Sequence, residues 1–125
     1  MRKIVFALLM AAGLAACSGG GASPAQVIEQ YLKARAKPDV NQMIAVSCAA
    51  WEGNARTEAQ SFQSLNTTLQ DMKCSDASVS GDDASVSCTG KLLTAYNGET
   101  RERNLAERQF ALKKEAGEWR MCGYK

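Results

Sequence analysis

The spacing of apolar residues changes twice along this chain. From Ile4 to Ala16 they run unbroken behind the basic pair Arg2-Lys3. From Pro24 to about residue 69 they recur at helical spacing, and after Met72 they alternate as in strands. Ser23-Pro24-Ala25-Gln26 opens the first helix: Ser23 caps it, Pro24 suits the first helical position, and Gln26 closes a capping box. Val27, Ile28, Tyr31 and Leu32 then share one face. Pro38-Asp39 stops this helix and starts a second, spaced Asp39…Gln42, which turns Met43, Ile44, Val46 and Cys48 inward and ends near Trp51-Glu52-Gly53. Asn54 is the expected cap of a weaker third helix carrying Ala55, Ala59, Phe62, Leu65 and Leu69 on one side.

The second half reads as four antiparallel strands, roughly 73–80, 84–96, 99–114 and 118–124. Gly81-Asp82-Asp83 and Glu115-Ala116-Gly117-Glu118 are turn signals. Asn97-Gly98 is a stronger one, because Asn-Gly suits the positive φ of a type I′ turn. Val86, Cys88, Leu92 and Tyr96 share a parity and should face the helices. Ala106, Phe110 and Leu112 do the same in the third strand. Leu105 breaks that parity, which predicts a bulge. The expected fold class is therefore α+β, with two or three N-terminal helices packed on a curved four-stranded antiparallel sheet and two disulfides.

The apolar run before residue 17 changes the picture of where the protein resides. As a helix its thirteen residues reach about 20 Å, short of a hydrocarbon core of about 30 Å. A basic start, a short apolar stretch and small residues before a cleavage point mark a secretory leader. Leu14-Ala15-Ala16-Cys17 resembles the bacterial lipobox, which implies lipidation of Cys17 as the new N-terminus. Residues 1–16 are thus expected to be a lipoprotein signal peptide and 17–23 a lipidated Cys with a flexible tether. Residues 24–125 form the domain. With Ser18 after the cysteine, the resemblance implies the periplasmic face of the outer membrane, if the organism has one.

Arg2 and Lys3 account for the whole formal net charge of +2. The remaining chain is near neutral and has no strong pull toward nucleic acid. Of five cysteines, four remain after Cys17: Cys48, Cys74, Cys88 and Cys122. An even set in an exported domain reads as two disulfides, with three possible pairings. A hairpin centred on Gly81 places Cys74 opposite Cys88, leaving Cys48 to pair with Cys122. That choice sets Ala77 and Val79 on the face opposite Cys74, and Trp119 and Met121 opposite Cys122. Each strand would then need a bulge or a covered second face.

Helices followed by an antiparallel sheet, an opening Pro24…Val27…Tyr31-Leu32 and a closing Gly117-Glu118-Trp119-Arg120 together resemble small bacterial lipoproteins with a nuclear transport factor 2-like, or cystatin-like, domain. The resemblance spans about residues 24–124. It implies a curved sheet enclosing a cone-shaped pocket, in a family that includes enzymes, transport factors and domains of no assigned activity.

The chain has no His, which excludes Ser-His-Asp and Cys-His catalysis and the usual His-based metal sites. No cofactor or metal is expected. Asp82-Asp83 is a weak cation candidate that reads better as a solvated turn. Arg101-Glu102-Arg103 and Glu107-Arg108 read as a solvated strand face with cross-strand ion pairs. A carboxylate aimed into the cone, Glu102 or Glu107, is the one candidate base. Two functions follow: a non-catalytic envelope module binding a protein or small apolar ligand, or a pocket enzyme of isomerase or dehydratase type.

Overall fold

A computed structural model describes residues 21–125; the leader and Cys17 lie outside the described residues. Helix α1 (Pro24–Ala36) opens on the capping box. The Ser23 N–H donates to Gln26 Oε1 at 2.9 Å and the Gln26 N–H donates to Ser23 Oγ at 3.2 Å. Its buried face carries Val27, Ile28, Tyr31 and Leu32. Helix α2 (Val40–Ala45) is capped by Asp39, whose carboxylate accepts from the Gln42 N–H. It is shorter than its apolar spacing predicts. Val46, Ser47 and Cys48 uncoil to lie beside the last strand, exchanging backbone hydrogen bonds with Met121 at 2.7 and 2.8 Å. A 3-10 turn at Ala49–Trp51 then runs straight into α3 (Glu52–Phe62), so Asn54 lies inside the helix and is exposed instead of capping it.

The strands are β1 (Asn66–Ser80), β2 (Asp83–Tyr96), β3 (Glu99–Asn104), β4 (Phe110–Glu115) and β5 (Glu118–Tyr124). They form one antiparallel sheet in the order β1-β2-β4-β5, with β3 beside the far half of β2. The sheet has five strands rather than four because the expected strand 99–114 divides. Asn104 Oδ1 accepts from the Ala106 N–H at 2.9 Å, which ends the ladder and starts a 3-10 turn at Leu105–Glu107. Leu105 enters the core and Ala106 faces solvent, the reverse of the expected parity.

Strand β1 begins at Asn66 and not near 73, so Leu69 belongs to the sheet and not to α3. Its ladder shifts register between Gln70 and Lys73, where Asp71 has φ 53°. Opposite lies Gly90 with φ 101°; a Cβ there would meet the carbonyl oxygens of Gln70 and Asp71 at 2.6 Å. Only glycine permits this approach, and the bulge bends the sheet around the helices. Tyr96 was expected to face the helices and is instead 58% exposed. Strand β2 outruns the core at this end: Leu92 is its last buried residue, and the hairpin tip stands clear.

Disulfides join Cys74 to Cys88, directly opposed in the β1–β2 register with Cα atoms 4.0 Å apart, and Cys48 to Cys122, with Cα atoms 5.3 Å apart. Met121 points into the core while Cys122 turns the other way. Cys122 reaches Cys48 because residues 46–48 flank β5 at the sheet edge. In β1 the register shifts again between Asp76 and Ser78, yet Ala77 and Val79 remain exposed.

Candidate functional site

Helix α1 places Ile28, Tyr31, Leu32 and Arg35 on one stripe, so a guanidinium sits where an apolar side chain would be expected. Helix α3 does the same with Ala55, Glu58, Ala59 and Phe62. The two charges meet where the helices approach the ends of β4 and β5, and their side chains are only 11% and 19% exposed. Arg35 Nε lies 3.6 Å from Glu58 Oε2.

Around this pair the hydroxyls and ring nitrogen form a directed chain. Trp51 Nε1 donates to the Tyr31 hydroxyl at 3.1 Å, and that hydroxyl donates to Glu58 Oε2 at 3.1 Å. The guanidinium of Arg35 donates to the Tyr124 hydroxyl at 3.1 Å, and Tyr124 donates to Glu58 Oε1 at 2.7 Å. Burial raises both phenol pKa values well above the ordinary tyrosine value. For Tyr31 the Glu58 charge adds to the effect. For Tyr124 the neighbouring Arg35 opposes it without reversing it. Both hydroxyls therefore remain donors to Glu58 at any physiological pH.

Above the network opens a cleft of about 680 Å³ between α3, β2, β3 and the 3-10 turn after β3. Phe62, Leu92, Leu105, Phe110 and Tyr124 supply its apolar walls. Arg35 stacks over Phe62 at 4.4 Å and Arg108 over Tyr124 at 5.0 Å. Arg103 completes the basic side of the wall.

Of the two candidate bases read from the sequence, Glu107 lines the cleft and Glu102 does not. Glu102 pairs in register with Leu93, on the outer face, and bonds Lys91 Nζ at 3.3 Å in solvent. Arg103 pairs with Leu92 and so borders the cleft, while staying exposed like the rest of its strand. Glu107 does line the cleft but is exposed on the 3-10 turn. Asp83 pairs with Lys113 at 3.0 Å across the exposed β2–β4 ladder. Among the described residues no cluster of His, Cys, Asp and Glu is arranged to hold a metal ion.

Glu58 and Arg35 were absent from the sequence reading, although a signal existed. Each interrupts an apolar stripe at the position a core residue would take. Tyr31 and Trp51, read as core residues, are buried and half-buried respectively; both also serve the network.

No family model matches the chain, and no curated protein sequence does. Solved structures do match. A SEC-C motif containing protein from Rhodopseudomonas palustris superposes with a TM-score of 0.58 at 12% identity, over 82% of this chain and 77% of that one. A candidate ketosteroid isomerase from Shewanella frigidimarina gives 0.57 at 15% identity, over 84% and 95%. A candidate dehydratase of the nuclear transport factor 2-like family from Streptomyces avermitilis gives 0.56 at 14%, over 79% and 89%. At these identities the likeness concerns the fold alone, which this chain shares with solved structures that include a member of the nuclear transport factor 2-like family.

Proposed function

We propose that the chain is a lipid-anchored, extracytoplasmic module of the bacterial envelope that binds a ligand in its cleft without transforming it. The observation that carries this reading is that both Glu58 oxygens are engaged within the protein. A general base needs a lone pair directed at substrate. Here the Glu58 oxygens are held by the hydroxyls of Tyr31 and Tyr124, with Arg35 alongside. The carboxylate ties α3 to α1 and β5 and shapes the cleft floor. Anchoring rests on the resemblance of Leu14-Ala15-Ala16-Cys17 to a lipobox, and two disulfides support an extracytoplasmic setting.

The competing reading, a pocket isomerase or dehydratase, draws on the same carboxylate and on the named activities of structures that share the fold. Two measurements decide. Mass spectrometry of the membrane fraction should find Cys17 at the N-terminus carrying diacylglycerol. Small molecules extracted from the purified protein and added back should be recovered unchanged in both mass and chromatographic retention, so that isomerisation as well as dehydration would be seen. A time-dependent conversion that disappears in Glu58→Gln would install Glu58 as a base and refute the non-catalytic reading.

A further inference from the structure

We propose that the ligand of the cleft is a small amphipathic anion, a single carboxylate, sulfonate or phosphate group on an apolar or aromatic body. The proposal rests on the reading of the cleft as a binding site and names what it selects. Apolar walls and a volume of about 680 Å³ suit a molecule of a few rings. The polar part of the wall is biased. Glu58 is committed to Arg35 and the two tyrosines. Among the described residues neither Arg103 nor Arg108 has an ion-pair partner. Glu107 also lines the cleft and offsets part of their charge, so one net positive charge remains on the wall.

Arg103 is directed inward because β3 pairs it with Leu92. Arg108 is held over the Tyr124 ring, which leaves the edge of its guanidinium to donate. Planar guanidinium groups bind carboxylate-type oxygens through paired N–H donors, and low-dielectric walls strengthen such bonds.

The test uses two fluorescent probes with the same ring body, anilinonaphthalene sulfonate and its uncharged counterpart phenylnaphthylamine. The expected result is saturable binding of both, with the sulfonate about tenfold tighter, as one charge-assisted contact would give. Arg108→Gln and Arg103→Gln, both at exposed positions, should each weaken the sulfonate several-fold and leave the neutral probe unmoved. Arg108→Lys should recover only part of the loss, since it restores charge without the fork. Unchanged circular dichroism would confirm that the variants are folded. Equal affinity for the two probes, unaltered by either substitution, overturns the anion proposal while leaving a binding cleft. Failure of both probes to saturate overturns the binding reading as well.

Discussion

The Tyr124 hydroxyl lies 2.7 Å from Glu58 Oε1, joining the end of the last strand to the middle of the third helix. These residues are 66 positions apart, and each also contacts Arg35 on the first helix. A single hydrogen-bonded group thus ties three elements together at the floor of the cleft. Tyr124→Phe should destabilise the domain by about 1–3 kcal/mol, because it removes the hydroxyl from two buried polar groups. In a double-mutant cycle with Glu58→Ala the two losses should couple by at least about 0.5 kcal/mol. Additive losses would mean that the hydrogen bond contributes nothing to stability.

The same network sets the response to alkali. Both phenols hold their protons more tightly in the folded chain than a free tyrosine does, whose ordinary value is 10.0. Above about pH 10 the unfolded chain releases protons that the folded chain retains. The unfolded state then binds fewer protons, so stability falls as pH rises, and this contribution is intact below that range. Absorbance of the Tyr31 and Tyr124 phenolates should appear together with loss of the far-ultraviolet helix signal. Phenolate absorbance from these two residues in a still-folded protein would contradict their burial.

Phe110 tests the core of the sheet. It is 3% exposed and packs at 5.4 Å, centroid to centroid, on Tyr124. Phe110→Ala should cost about 3–5 kcal/mol in chemical denaturation. A loss below about 1 kcal/mol would place its side chain outside the core.

Local chemistry made much of this fold legible. The Ser23–Gln26 box and the Asn97-Gly98 turn act within a few residues, and both form where expected. What stayed hidden depended on contacts between distant segments. Asn104 breaks the strand by a side-chain bond to Ala106, a choice alternation alone does not report. Leu65 and Leu69 continue the apolar spacing of α3, yet the chain turns after Phe62 and Leu69 pairs with Leu92. The cleft was legible only as a shape implied by resemblance. Its acid, Glu58, required knowing that α1, α3 and β5 converge. The charged residues from Arg101 to Arg108 are exposed as read, but which of them border the cleft depends on register, which turns Arg103 toward it and Glu102 away, and register is a tertiary property.

Loop length distinguishes the two disulfides. Cys74 and Cys88 are 14 positions apart, whereas Cys48 and Cys122 are 74 apart. In the chain-entropy account these contribute about 3 and about 4.5 kcal/mol. Replacing Cys48 and Cys122 together by Ala should therefore lower stability more than replacing Cys74 and Cys88. Non-reducing peptide mapping provides the direct check: a peptide joining Cys48 to Cys74 or Cys88 would refute both the pairing and the ranking.

If Cys17 carries the lipid, the domain should stand with its cleft away from the membrane. Gly21, where the described chain begins, lies against the side chain of Glu118 at the β4–β5 hairpin. Four residue steps separate it from Cys17, so the extended link spans at most about 14 Å. The cleft is at the other end of the same strands: Glu115 pairs with Glu118 at the hairpin, and Phe110 pairs with Tyr124 at the cleft. Five steps along β4 separate these ends by about 17 Å. A ligand would then arrive through the aqueous compartment and not laterally from the bilayer. In vesicles carrying the lipidated protein, a donor fluorophore at Gly117 should transfer energy to a headgroup acceptor more efficiently than one at Arg103. Cys17→Ser should abolish transfer at both positions by releasing the chain from the surface. Stronger transfer from Arg103 would turn the domain over and bring the cleft to the lipid.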